Sequence, residues 1–231
     1  IYRQSKGAFD ITVAPAVRAW GFGHDPASEP PSTELKQELQ QAIGSTHLQL
    51  GPQHISKLNP AIQIDLSAVA KGYAVDIVSE WLSTSGFPNH LVEIGGELRS
   101  SGTRFNSPWI VGIELPTLQH TGHIQSLELN DMGMATSGDY RNYRIQDGVR
   151  VSHTIDPRTL EPVMHNLASV TVIAETAAIA DAWATALSVL GPDEGLELAK
   201  AINLDTMMLI RNADGFSTIF TENFPQPGEP K

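Results

Sequence analysis

Apolar residues along the chain follow two rhythms. In ELKQELQQAI, Leu35, Leu39 and Ile43 fall on one helical face, after a turn-rich stretch from Gly21 to Thr33 that contains Pro26, Pro30 and Pro31. IQIDLSA alternates like a half-buried strand and runs straight into AVAKGYAVDIVSEWLSTSG, where helical spacing holds until Gly86 supplies a stop. LVEIGGELRSSG, WIVGIEL, HIQSLEL, MGMATSG, YRNYRIQ and VRVSHTI are short β-type runs separated by Gly, Asn and Asp turns, the pattern of consecutive antiparallel strands. LASVTVIAET predicts a further strand, AAIADAWATALSVLG and PDEGLELAKAIN two helices, and TMMLIRN with GFSTIF a closing hairpin. The opening GAFDITVAP reads as turn and strand.

Strands and helices are interspersed without regular βαβ alternation. That predicts an α+β fold of mixed, largely antiparallel sheets with packed helices. A single domain over residues 1–224 is expected, with PQPGEPK, residues 225–231, as a disordered tail. At 231 residues and 41% hydrophobic the chain can bury a sizeable core. Lys plus Arg number 15 against 26 Asp plus Glu, which argues against a phosphate-tracking surface and so against nucleic acid as partner. At a formal charge of −11, an anionic ligand would need a bound cation or a local cluster of donors. No run approaches bilayer-spanning length, and the start at Ile1 reads as that of a processed or truncated piece. With no cysteine, any metal must sit on oxygen or imidazole.

Several positions carry candidate chemistry, each with a plainer alternative. Asp181 and Thr185 in ADAWATAL stack one helical turn apart, a carboxylate and a hydroxyl suited to Mg²⁺ or Ca²⁺. Judged alone, they read first as an acid in the favourable half of a helix and a threonine bonded back to a carbonyl. IDLSAVAKGYAVD sets Asp65 at a strand end, Ser67 and Ala68 at the junction and Lys71 in the first helical turn, where a phosphate or ribose oxygen can be held. The alternative is a cap from Asp65 or Ser67, with Lys71 solvated. His153 in HTIDPRTLEP sits at a strand end before a rigid turn, as a general base or a hydrogen-bonded turn residue; Asp156 and Arg158 read as turn and ion-pair residues.

Ser137, Gly138, Asp139, Tyr140 and Tyr143 line either a pocket or a hairpin turn, and Gly95 and Gly96 permit positive φ or close packing. Ala8, Phe9 and Asp10 offer a ring to stack on a base or isoalloxazine and a carboxylate for a purine amino group, or simply core. His24, His90 and His165 show no zinc-hydrolase spacing, and GxSxG is absent.

Taken in order, GAFDITVAP with WGFG, IDLSAVAKGYAVD, EIGGELRSSG, ATSGDYRNY, HTIDPRTLEP and ADAWATAL resemble the ApbE family, the FAD:protein FMN transferases once described as thiamine-biosynthesis lipoproteins. The resemblance covers most of residues 7 to 190 and implies an ApbE-like (T-fold-like) architecture. It implies Mg²⁺ on Asp181, Thr185 and the backbone carbonyl of Ala68, and FAD as substrate, contacted by Ala8, Phe9, Asp10, Asp65, Lys71 and Ile155. His153 matches the histidine that activates the acceptor hydroxyl. The implied reaction is Mg²⁺-dependent transfer of FMN from FAD to a Thr or Ser hydroxyl of an acceptor flavoprotein, with release of AMP. Alternatives are an FAD pyrophosphatase giving FMN and AMP, or a non-catalytic FAD-binding lipoprotein.

Family acceptors are flavin-bearing subunits of membrane redox ion pumps of the Nqr and Rnf type. The implied place is therefore the periplasmic face of the bacterial inner membrane, as a lipoprotein. Family members carry an N-terminal portion with the lipid-anchor cysteine and further flavin contacts, and this chain is expected to lack it. One departure is Leu160, where the family segment DPRTG has glycine.

Overall fold

The computed structural model describes residues 1–22, 29–115, 123–139, 143–146 and 149–225. The expected tail beyond residue 225, together with His24, Pro26, Tyr140 and the start of YRNYRIQ, lies outside them. In chain order the elements are α1 (Ala14–Ala19), α2 (Thr33–Ala42), β1 (Leu48–Leu50), β2 (Ile55–Lys57), α3 (Ala70–Thr84), β3 (His90–Ile94), β4 (Glu97–Ser101), β5 (Trp109–Glu114), β6 (His123–Leu129) and β7 (Gly133–Gly138). They continue with β8 (Tyr143–Gln146), β9 (Val149–Ser152), β10 (Ile155–Asp156), β11 (Glu161–Pro162), β12 (Leu167–Ala174), α4 (Ala177–Ala201), β13 (Asp205–Asn212) and β14 (Gly215–Phe220). The architecture is α+β with antiparallel sheets, as the interspersed pattern predicts. Among the described residues no helix is long and apolar enough to cross a membrane.

The chain forms two compact units, Ile1–Leu66 with Asn142–Met164, and Ser67–Arg141 with His165–Lys231. The second holds a six-stranded sheet in the order β14-β13-β12-β7-β4-β3, antiparallel throughout. β12 lacks polar alternation because all of its residues are buried. α4 packs against β7 and β12, while Val111, Ile113, Leu127 and Leu129 of the β5–β6 hairpin cluster with Leu98, Met134, Ile173, Met207 and Leu209 of the sheet. Thr176 caps α4 by accepting from Ile179 N at 3.2 Å. The two helices expected on either side of residue 191 are the arms of α4, broken where Gly191 takes φ 79 before Pro192. Between β3 and β4, Gly95 and Gly96 have φ of +66 and +103, the two positive values that a two-residue type I′ turn requires.

The first unit contains α1, α2 and three short antiparallel pairs, β1–β2, β8–β9 and β10–β11. Its core gathers Ala16, Leu39, Ile43, Ile155 and Leu160. Ser32 caps α2 through Leu35 N at 3.2 Å. Leu160 takes φ +60, the left-handed region that favours glycine, while its side chain is buried and its carbonyl accepts from Trp20 Nε1 at 2.7 Å.

Two expectations fail locally. IQIDLSA is not a strand: it runs irregularly into the turn at Ser67–Val69, and Ile64 and Leu66 are exposed rather than alternately buried. GAFDITVAP forms turns and the start of α1, because Pro15 suits the first helical turn and the Asp10 carboxylate folds back onto Thr12 N. The β1–β2 hairpin was not foreseen; Gly51-Pro52 between two short polar runs was its faint signal.

Candidate active site

Helices α3 and α4 approach closely where Gly72 meets the start of α4. A Cβ on Gly72 would lie 2.3 Å from the Ala177 carbonyl oxygen, so only glycine fits. The N-cap position of α3 falls on Val69, whose side chain has no oxygen to offer. Asp181 of α4 fills that role from across the contact, its Oδ2 accepting from Gly72 N at 3.1 Å. The reverse exchange joins Asp76 of α3 to the start of α4, with Ala177 N and Ala178 N donating to its two oxygens at 2.9 Å each. The segment that follows Ala68 and the Asp181–Thr185 turn therefore meet in space. Ala68 itself is half-buried in the turn leading into α3.

Around Asp181 the chain assembles an oxygen-rich corner. Asp181 is 4% exposed, and burial pushes its carboxyl above the ordinary carboxylate range, with Gly72 N and the Lys71 charge pulling the other way. Thr185 is half-buried one turn on, its hydroxyl 3.4 Å from that of Ser137 on β7. Lys71 is half-exposed and ion-pairs with Oε1 of Glu97, whose side chain is 2% exposed. Burial likewise raises the Glu97 carboxyl, with Lys71 opposing and the charge of Asp181 adding to the rise.

Sequence reading passed over Glu97 and Asp76. Glu97 follows a pair of glycines, and its signal is an acid opening an otherwise core-facing strand. Among the described residues no three His, Asp or Glu side chains cluster as metal ligands. A divalent ion at this corner would thus draw on one carboxylate, a hydroxyl and main-chain carbonyl oxygen, a hard donor set suited to Mg²⁺. A cleft of about 340 Å³ lined by Asp76, Ser79, Arg99, Ser100 and Thr176 includes none of the expected site residues.

Of the other residues expected at the site, Ala8, Phe9, Asp10, Asp65, His153 and Ile155 belong to the first unit. Ala8 is buried, and Phe9 N donates to Ser5 Oγ at 3.1 Å. Asp10 is buried with its carboxylate fully engaged: Thr12 N at 2.9 Å, Thr12 Oγ1 at 2.6 Å, Ser45 Oγ at 2.6 Å and Ser45 N at 3.0 Å. Asp65 N donates to Ile11 O at 2.7 Å, which draws the early block and the Asp65 segment together. His153 follows the end of β9, half-buried, its ring edge-on to Phe22 at 6.4 Å. Ile155 on β10 turns its side chain into the core, so only its main chain remains for a ligand. Asp156 and Arg158 form a bidentate pair at 2.8 Å, and Asp139 pairs with Arg211 at 2.8 Å, both turn-anchoring contacts. Tyr143 lies under the Arg150 guanidinium at 4.0 Å.

This is the fold of solved flavin transferases. The Pseudomonas stutzeri flavinyl transferase ApbE, in its apo form, superposes with a TM-score of 0.87 at 40% identity, covering 96% of this chain and 69% of that one. The flavin transferase ApbE from Vibrio cholerae gives 0.85 at 38% identity, with 96% and 72% covered. A model of the ApbE family matches residues 1–209, and the chain belongs to that family. Among curated relatives, the FAD:protein FMN transferase of Vibrio cholerae is 40% identical over 222 residues, which is 95% of this chain and 66% of the relative. That of Haemophilus influenzae is 41% identical over 234 residues, 98% of this chain and 68% of the relative. The chain thus spans about two thirds of the length of these relatives.

Proposed function

We propose that the protein transfers FMN from FAD to a Thr or Ser hydroxyl of an acceptor flavoprotein, releasing AMP, with Mg²⁺ as cofactor. The reading is supported by the shared name of the relatives and by one observation in the fold. The 3.1 Å bond from Gly72 N to Asp181 Oδ2 ties the segment after Ala68 to the Asp181–Thr185 turn. Asp181, Thr185 and the Ala68 carbonyl are the residues to hold Mg²⁺. Bound there, the ion supplies Lewis-acid polarisation of the FAD diphosphate and neutralises charge on the departing AMP.

Lys71 donates to a diphosphate oxygen, and Ala8, Phe9, Asp10, Asp65 and Ile155 are FAD contacts. With the Asp10 carboxylate occupied by Thr12 and Ser45, its segment serves by presenting main chain rather than a free acid. In transfer, the acceptor oxygen bonds to the FMN-side phosphorus as the bond from that phosphorus to the bridging oxygen breaks. The bridging oxygen leaves with AMP, and the hydroxyl proton passes to His153. The acceptors in this reading are flavin-bearing subunits of redox ion pumps of the Nqr and Rnf type. The protein works as a lipoprotein on the periplasmic face of the bacterial inner membrane.

Incubation with FAD, Mg²⁺ and an acceptor domain tests this directly: flavin fluorescence should stay with the acceptor on a denaturing gel. Asp181→Ala should reduce that signal roughly a hundredfold. His153→Ala should slow transfer by on the order of a hundredfold or more while FAD binding stays intact. AMP release without acceptor would favour hydrolysis, and FAD retention without any AMP would favour a carrier.

A further inference from the structure

Glu97 has no part in the transfer chemistry above, yet its position is costly. Its Oε1 accepts from Lys71 Nζ, whereas Oε2 is buried and has no hydrogen-bond partner among the described residues. The turn before it does not require an acid, since Gly95 and Gly96 supply both positive φ values and Glu97 pairs opposite Ile94. Nor does Lys71 require one, being half-exposed and open to water. The charge on Glu97 also repels that of Asp181, and the Lys71 charge opposes the rise of both carboxyls. Two buried carboxylates that repel each other are best compensated by a positive occupant at that corner.

We propose that Glu97 is a positioning residue of the cation site. Its paired oxygen holds Lys71 in place for the diphosphate, and the charge on its free oxygen strengthens divalent-ion binding at Asp181 and Thr185. This rests on the Mg²⁺ reading of that corner and adds to it a residue from the β3–β4 turn. An outer carboxylate of this kind acts on the ion through its field and through ion-bound water, and it sets the affinity as surely as a ligand does.

Glu97→Gln keeps the volume and an acceptor for Lys71 but removes the charge. Mn²⁺ binding to the FAD-free protein, followed by titration calorimetry and by loss of the free-ion electron paramagnetic resonance signal, should weaken about tenfold, with Mg²⁺ competing in both proteins. The melting temperature without metal should hold or rise, because a buried repulsion has gone. Lys71→Met should act oppositely on the ion, tightening Mn²⁺ while weakening FAD.

Equal Mn²⁺ affinity in the parent and Glu97→Gln proteins would overturn the proposal and leave the cation site standing. A metal-free melting temperature lowered in step with affinity would also overturn it, by making Glu97 a structural prop. Absence of Mn²⁺ binding in the parent protein would sink the cation reading itself, a result readily told apart from the other two.

Discussion

Helices α3 and α4 exchange carboxylates, and the two exchanges are unequal. Asp76 places both oxygens on main-chain donors of α4 at 2.9 Å and has Arg99 Nη1 at 3.5 Å as a further partner. Asp181, at the other exchange, has Gly72 N at 3.1 Å, lies almost wholly out of water, and is pushed toward its protonated form by that burial. Asp10 in the other unit resembles Asp76, with four donors closing around it. Burial therefore does not by itself mark a functional acid. What separates the two kinds is satisfaction: a carboxylate whose lone pairs are filled is part of the scaffold, and one left short is ready to hold something.

Gly72→Ala would disturb both exchanges at once. The new methyl must displace the Ala177 carbonyl, backbone rather than a flexible side-chain end, which outweighs the gain in helix propensity. A loss of about 3 kcal/mol in urea denaturation is expected, together with loss of Mn²⁺ binding. If stability held, the close helix approach would not be what positions Asp181.

Asp76→Ala breaks one exchange alone. Ala177 N and Ala178 N lose their acceptors and Arg99 loses an anion, for a cost of about 2 kcal/mol. Mn²⁺ affinity should stay close to that of the parent protein. A large fall in affinity with little change in stability would reverse the roles assigned to the two aspartates.

The sequence carried much of this arrangement. The long helices announce themselves through spacing and the break at Gly191-Pro192 is plain, whereas the caps Ser32 and Thr176 emerge only in the fold. Asp181 and Thr185 were visible because a helical turn is a local fact. IQIDLSA misleads because alternation over so few residues arises readily by chance, and among the described residues the segment has no strand partner. Asp76 and Glu97 stayed hidden for another reason. Asp76 looks like any polar residue of an amphipathic helix, and Glu97 like any residue after a glycine turn. Only the meeting of β4 with α3, and of α3 with α4, gives each its meaning.

Asp181→Asn is the sharpest test of the inequality and carries a smaller effect on stability. The amide oxygen can still accept from Gly72 N, and the desolvated charge is gone. Metal-free stability should stay within about 1 kcal/mol of the parent and should rise rather than fall, while Mn²⁺ binding is lost. A fall as large as that for Asp76→Ala would make Asp181 a helix cap and nothing more.

The mildest effect comes from a half-buried base under the bend of α4. A Cβ on Gly191 would lie 2.6 Å from the His165 ring, whose Nε2 lies 3.0 Å from Ser188 O. Burial lowers this imidazole from its ordinary 6.5, the carbonyls of Ser188 and Val189 and the charge of Asp139 opposing. As pH falls from 6.5, the unfolded chain takes up a proton that the folded chain still refuses, so the contribution of His165 is complete above that value and drains away below it. The parent should therefore lose more stability between about pH 7 and pH 5 than His165→Gln does, read as the difference between their urea midpoints so that other titrating groups cancel. Equal losses would mean the proton finds room beneath the bend. Desolvation would then govern the ion corner without governing the whole of this unit, and the contrast between satisfied and hungry groups would narrow to the α3–α4 contact alone.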